Sequence, residues 1–476
     1  MAITTRNVRR GVTDDARFRR ITLAVAVAGT LLVMLDFNAP LATLSATAGG
    51  LRAGPVAQTW MLAGISVGLA SALLVVGALG DDYGRRRVFL AGAGLLVVST
   101  TVCSIAPNSG VIIAARVVQG VTGAAVLACG LGLVGTAYPG GPDRRRATGL
   151  WGASLGAGIA VGPLLAAGIA RESDWRVVYA VEGALAVGLW LAALLLRESP
   201  AARSRSLDAA GAATLVAGLA CLVFGLVEGR QGWSRSLSYG PLLLSAVLLA
   251  AFVVVESRHP APLLDPALFR QPGFVAATVG AFATGLTVVG LMSYLPTVLQ
   301  RGLAESPWTS AGVLAVWSGT SAVVALLARR LPHRVSSRWQ LGGGLLVCAV
   351  GLVMMTGLTT SSTWLRLVPG LVVVGVGSGI LNAALARLAV ESVPAARAGM
   401  GSGANNTARY LGSSAGVAVV VAVVGSYQTP AHGAIAAATL AGMNAATFVV
   451  AGLALLGAGV TLACVDRSSS VQPRIT

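Results

Sequence analysis

Fourteen apolar segments, each close to twenty residues or longer, follow one another along the chain, and no water-soluble fold buries that much apolar length. They run at about 20–44, 57–79, 87–106, 111–137, 147–170, 175–196, 208–228, 240–256, 274–299, 308–331, 339–358, 364–390, 400–425 and 443–465. Crossing the hydrocarbon core takes roughly 20 apolar residues as a helix, because lipid offers the backbone no hydrogen-bond partner. None of the connections reaches twenty residues, so no soluble domain fits between the spans. Composition agrees: 55% of the 476 residues are hydrophobic, 11% are charged, and the mean hydropathy is +0.79. The expectation is one all-α integral membrane domain with 14 transmembrane helices.

Charge fixes the expected orientation. All 34 basic residues are Arg, and the formal net charge is +17. With the N-terminus inside, 25 Arg fall on cytoplasmic segments and 7 (Arg52, Arg171, Arg176, Arg230, Arg235, Arg301, Arg366) on outer ones. Arg116 and Arg409 lie within spans. That asymmetry follows the positive-inside rule with both termini cytoplasmic, and it explains the basic charge as topology, with no nucleic-acid partner. The basic tail and the length of the first segment read as a true span and not a cleaved signal. The five cysteines sit inside spans without metal-ligand spacing and read as small buried residues, with no metal site implied.

Between the second and third segments runs GALGDDYGRRRVF, Gly77 to Phe89. Asp81, Asp82, Arg85, Arg86 and Arg87 crowd a turn that lies at a membrane surface, while Gly77, Gly80 and Gly84 allow sharp turning and close helix contact. This pattern resembles the signature loop of the major facilitator superfamily of secondary transporters. ARVVQG (Ala115–Gly120) in span four is similar to that superfamily's intramembrane Arg motif, and Gly158-x-x-x-Gly162-Pro163 in span five to its antiporter motif. Further matches resemble the fourteen-span drug:proton antiporters. They are Leu35-Asp36, Trp175-Arg176, Glu228 with Gly232-Trp233, Pro262-Leu263 with Leu268-Phe269, Leu299-Gln300, Ser306-Pro307 and Arg409 with Gly412.

The resemblance implies a major facilitator fold: two six-helix halves related by a pseudo-twofold axis, with two helices inserted between them. On this chain that gives a cytoplasmic tail (1–19), a first half (20–196), an insert carrying spans seven and eight (197–273), a second half (274–465) and a C-terminal tail (466–476). Gly412-x-x-x-Gly416 in span thirteen echoes Gly158-x-x-x-Gly162 in span five. The second copy of the loop, near Ala328–Arg338, keeps only basic charge.

Ionisable residues inside a membrane are costly, so each is a functional candidate. Four stand out: Asp36, Arg116, Glu182 and Arg409. Asp36 lies sixteen residues, roughly 24 Å, into span one, and Arg116 about five residues, roughly 8 Å, from the outer end of span four. The family fold sets these spans side by side on the cavity wall. Asp36 and Arg116 are therefore expected to interact, with Asp36 exchanging a proton with substrate or the outer vestibule; the alternative is a permanently paired structural charge. Glu182, where the family pattern has Asn, either helps to bind a cationic substrate or is a structural, partnered acid. Arg409 shares a helical face with Asn405, and Asn382 and Asn406 read as interhelical hydrogen-bond groups.

In the loop, the resemblance sets Asp81 near the N-terminus of the helix equivalent to span thirteen, where a carboxylate meets the positive helix end and latches the outward-open state. Arg85, Arg86 and Arg87 are expected to anchor the turn and to meet anionic headgroups. Asp82 stands where the family has a basic residue. Gly158, Gly162 and Pro163 imply close contact and a bend in span five, although Ala166 and Ala167 replace the motif's last glycines. Phe37-Asn38-Ala39-Pro40 also departs from the family pattern, and Pro40 should kink span one just beyond Asp36.

The expected function is a proton-coupled antiporter exporting small organic molecules (a drug, antibiotic or toxic metabolite) across the cytoplasmic membrane of a GC-rich bacterium. Its partners are substrate, protons and the lipid bilayer; it is monomeric and uses no cofactor. Aromatic residues are only 5%, which argues against an aromatic cage for quaternary ammonium compounds. A lipid or nutrient transporter on the same fold is the alternative. A membrane enzyme or sensor would need a constellation that is missing: there is no Walker loop, no nucleophile motif and no cluster among His259, His333 and His432.

Overall fold

The computed structural model describes residues 2–198, 208–229, 236–259, 263–264, 266–328, 336–428 and 435–464, with side chains from residue 16 onward. Over its described residues each of the fourteen apolar segments is mainly helical. The elements are α1 (Ala2–Asn38), α2 (Pro40–Gly50), α3 (Pro55–Tyr83), α4 (Arg85–Ser104), α5 (Ser109–Ala137), α6 (Gly141–Glu172), α7 (Trp175–Ala193) and α8 (Ala209–Gly229). They continue as α9 (Ser236–Arg258), α10 (Pro272–Thr284), α11 (Gly290–Gly302), α12 (Pro307–Leu327), α13 (Ser337–Met354), α14 (Val368–Glu391), α15 (Ala398–Tyr427) and α16 (Ile435–Ala463). No strand occurs among the described residues. The motif residues Gly232, Trp233 and Pro262, most of the second basic loop, His333, His432 and the tail 466–476 lie outside them.

Thirteen helices of the described residues are long and apolar enough to cross a membrane; the segment 339–358 falls on a shorter one, apolar over Arg338–Met354. At 1.5 Å per residue those residues reach only about 26 Å. The helix stops early because the chain turns through Gly357 (φ +79°), a turn held by Arg366 donating to the carbonyls of Thr356 (3.0 Å) and Gly357 (3.3 Å). At the other end of the chain, helix already runs through the basic stretch 2–19 ahead of the first apolar segment.

Two long segments are interrupted midway. Pro40 has no N–H to donate, so α1 ends at Asn38 and α2 resumes at Pro40, with Ala39 between them still near helical dihedrals. Between α10 and α11 the residues Gly285–Val289 form a single π turn, a wider coil of the kind that recurs at functional sites.

In lipid, helices associate through close packing and not through the hydrophobic effect. The glycine pairs show where that happens. A Cβ on Gly158 or Gly162 would meet the carbonyls of Leu31 (2.6 Å) and Leu35 (2.9 Å), so α6 lies backbone-to-backbone on α1. A Cβ on Gly412 or Gly416 would strike the carbonyls of Phe282 and Leu286, so α15 lies in the same way on the π-turn segment. The buried apolar residues fall mainly into two large clusters, one drawn chiefly from α1 and α3–α7, the other from α10–α16.

The α8–α9 pair packs against α3, where Trp60 Nε1 donates to Glu228 Oε1 (2.6 Å) and the Trp60 ring lies 4.7 Å from that of Phe224. On its far side α9 turns out Leu243, Val247 and Val253, each more than 60% exposed, an apolar face that suits lipid and not water.

Candidate functional site

Pro40 leaves the carbonyl of Asp36, four residues back, without its helical donor. The structure supplies one from another helix. Arg116 Nη1 on α5 donates to Asp36 O at 2.6 Å, Nε to Met61 O at 3.2 Å, and Nη2 reaches Phe37 O at 3.5 Å. Gln119, one turn along, accepts from Arg116 at 3.1 Å and donates to Thr100 on α4 at 2.9 Å. Contact between α3 and α5 through Gly68 and Gly120 brings the Met61 carbonyl within this reach. The interaction expected between Asp36 and Arg116 runs through the backbone: the guanidinium holds the Asp36 carbonyl, and no ion pair within 4 Å joins it to the carboxylate.

The carboxylate points instead toward α7. Asp36 is 1% and Glu182 0% exposed, and the two carboxyls interact with each other. None of their four oxygens accepts a hydrogen bond from an N–H or hydroxyl. Cys103 and Tyr179 are also within electrostatic reach of this cluster. Two acids and one base are thus shut away from solvent. Uptake of one proton neutralises the set, and its loss restores a net negative charge in an apolar surround. Glu182, which sequence alone left between substrate binding and structure, is brought to Asp36 and kept out of the central cavity.

That cavity lies between α1, α2, α6, α10–α12, α14 and α15, where the interrupted helices face each other. Asn38 and Leu41 line it on one side, Thr284, Val288 and Val289 on the other. Asp36 and Arg116 do not line it, which corrects their expected place on its wall. Arg409 does: it donates to Asn382 Oδ1 (3.4 Å), and its guanidinium stands 5.5 Å from the Tyr410 ring centre. Asn382 in turn donates to Ser321 Oγ (3.2 Å). Asn405, expected beside Arg409, is turned away and donates to the Ala277 carbonyl on α10 at 3.1 Å. Asn406 bonds back to Ser402 O on its own helix.

Trp317, Ser378 and Tyr410 also line the cavity, and sequence reasoning did not single them out. Ser378 lies one turn before Asn382, a polar pair in an apolar helix that could have flagged that face. The aromatic rings carried no such signal. A smaller cavity nearby gathers Pro163, Pro296 and Pro307 from α6, α11 and α12.

At the other end of α3 the loop is built around Gly84, whose φ of +110° disfavours any side chain and whose Cβ position lies 2.7 Å from the Glu198 carboxyl, which would have to move aside. Glu198 accepts from the backbone N–H groups of Arg86 (3.0 Å) and Arg87 (3.3 Å), capping α4 with a negative charge, a partner the sequence did not suggest. Asp81 is 2% exposed and accepts from Gly399 N (3.0 Å) and Met400 N (2.8 Å) at the start of α15. Gly77 meets the Gly399 carbonyl, where a side chain would not fit.

Arg85, expected at headgroups, is 2% exposed; it pairs with Asp81 (2.7 Å) and donates to the carbonyls of Ala395 (3.0 Å) and Ala396 (3.1 Å). Arg86 is partly buried and donates to Leu194 O, so Arg87 is the exposed arginine of the three. Asp82 binds Arg397 at 3.3 Å, so the departure from the family pattern adds a second strut between α3 and the turn before α15.

The family model described as Major Facilitator Superfamily matches residues 26–417. The Multidrug resistance protein Stp of Mycobacterium tuberculosis is 30% identical over 415 residues, covering 86% of this chain and 77% of that protein. The Probable actinorhodin transporter of Streptomyces coelicolor is 32% identical over 421 residues, covering 84% of this chain and 72% of its own length. The crystal structure of the human organic anion transporter MFSD10 (TETRAN) superposes with a TM-score of 0.69 at 19% identity, covering 93% of this chain and 99% of that one, a likeness of fold alone.

Proposed function

The chain belongs to the major facilitator superfamily and is a multi-pass transporter of the cell membrane, and from that premise we propose that it is a proton-coupled antiporter exporting small organic molecules from the cytoplasm. Its architecture in this reading is fourteen spans with both termini cytoplasmic, two six-helix halves (20–196 and 274–465) and an inserted pair, acting as a monomer. The matching contacts of Gly158-x-x-x-Gly162 on α1 and Gly412-x-x-x-Gly416 on the π-turn segment support the repeat. The names of relatives, a multidrug resistance protein and a tetracenomycin C resistance and export protein, support export over uptake.

The observation that carries proton coupling is the sealed cluster of Asp36, Glu182 and Arg116. A carrier needs a titratable group whose access to water changes with conformation, and this cluster holds two carboxyls that no donor satisfies. Arg116 grips the carbonyl freed by Pro40, so rocking of α1 against α5 would open or close the route to the acids. Asp81 and Arg85 act as the cytoplasmic latch: their contacts to α15 must break before that side opens. Gly158, Gly162 and Pro163 keep α6 sealed on α1.

The test uses inverted membrane vesicles loaded with a pH dye and acidified inside, then given a panel of antibiotics and dyes. Substrate-triggered proton release from the lumen, absent in Asp36→Asn, is the expected result. Release that persists unchanged in Asp36→Asn would remove Asp36 from the coupling.

A further inference from the structure

Among the described residues, the lining of the central cavity holds one formal charge, that of Arg409, and no carboxylate. Arg409 is 9% exposed, takes part in no ion pair within 4 Å among the described residues, and its polar partners are Asn382, at a long 3.4 Å, and Tyr410, over whose ring it leans. The buried acids of this region, Asp36 and Glu182, stand outside the cavity with Arg116. A guanidinium carries five N–H donors in a planar fork, and a desolvated one without a counter-charge is costly. A carboxylate or sulfonate matches that fork two oxygens at a time.

The remaining wall suits a flat apolar body. Phe37 and Tyr410 lie with ring centres 5.8 Å apart, and Trp317 is held in place by its Nε1–H donating to Ser378 Oγ at 3.1 Å. The hydroxyls of Thr284 and Ser293 are turned back onto carbonyls of their own helices. The cavity therefore offers one cationic fork, aromatic faces and few free polar groups.

We infer that the substrate is an amphipathic organic anion, an apolar ring body bearing a carboxylate or sulfonate that pairs with Arg409. This names the substrate class of the exporter proposed above and rests on that reading. A cation of the same shape meets no counter-charge in the cavity and is repelled by Arg409.

The test measures saturable binding of two ring-matched probe pairs to the purified full-length protein in lipid nanodiscs. One pair is acridine-9-carboxylate and 9-aminoacridine; the other is naphthalene-2-sulfonate and 2-naphthyltrimethylammonium. The anionic member of at least one pair is expected to bind, to weaken about tenfold or more in Arg409→Gln, and to recover only in part in Arg409→Lys, which restores the charge and not the planar fork. A thermal unfolding scan of each variant separates lost recognition from lost folding. Preference for the cationic members, no binding of either anion, or anion binding unchanged in Arg409→Gln overturns the inference. Proton-coupled export of a cationic or neutral compound would sink the anion preference and leave antiport standing. Anion binding without any substrate-driven proton movement would do the reverse.

Discussion

Arg116 on α5 donates through Nη1 to the backbone carbonyl of Asp36 on α1 at 2.6 Å, the carbonyl that Pro40 deprives of its helical partner. A local feature of one helix and a charged side chain of another thus complete each other. The carboxyl feels the Arg116 charge without an ion pair within 4 Å and interacts with Glu182.

Replacing Arg116 by Lys should therefore destabilise the protein. A single ammonium cannot reach the carbonyls of Asp36 and Met61 and the Gln119 amide together, and each hydrogen bond lost from a buried charged group costs about 1.5–3 kcal/mol. Thermal unfolding read by a thiol-reactive dye checks this, because Cys103, Cys129 and Cys348 are buried until the fold opens. An unchanged midpoint would show that the network is dispensable.

Glu182→Gln removes one acid from the sealed pair and keeps the shape. Proton-coupled efflux should fall about tenfold, equivalent to about 1.4 kcal/mol, while substrate binding stays within twofold because Glu182 does not line the cavity. Binding lost in step with transport would instead assign Glu182 to substrate contact.

Asp81→Asn replaces an acceptor-only group that receives two backbone N–H bonds and a guanidinium. The junction of α3 with α15 should loosen, and a cysteine placed at Ala396 should react faster with a membrane-impermeant maleimide. Asp82→Ala should have a smaller effect, since its bond to Arg397 is a single contact of 3.3 Å. Equal labelling in wild type and Asp81→Asn would show that this contact does not hold the end closed.

Gly84→Ala meets both a backbone conformation disfavoured for side chains and the Glu198 carboxyl, and should cost on the order of 1–3 kcal/mol. Glu198→Ala loses the cap on α4 and should cost about 1 kcal/mol. Comparison of unfolding midpoints in one detergent orders the two; Gly84→Ala as stable as wild type would contradict the steric argument.

Gly162→Val and Gly416→Val insert a side chain at contacts that correspond under the proposed repeat, and each should cost roughly 1–3 kcal/mol through overpacking. Folded yields of the two variants should drop alike. A drop in one and not the other would weaken the repeat.

Sequence alone determined what depends on local chain properties. Twenty-residue apolar runs can only be helices in lipid, so the segments were legible, with errors where a turn such as Gly357 cut one short. Pro40 announced the interruption of the first span because a missing N–H is a property of the residue itself. Asp36, Arg116, Glu182 and Arg409 stood out because charge inside an apolar run is visible without a structure. Which charge meets which was not legible. A helix face drifts with every residue, so spacing could not tell that Arg116 reaches the carbonyl of Asp36 and not its carboxylate, or that Glu182 turns to Asp36 while Asn405 turns to α10. Tertiary packing alone decided that Arg85 is buried under α15, that Glu198 caps α4, and that Arg409 is, among the described residues, the single charge lining the central cavity. Those partners come from segments up to 311 residues apart in the chain, and only the packing of helices brings them within hydrogen-bond distance.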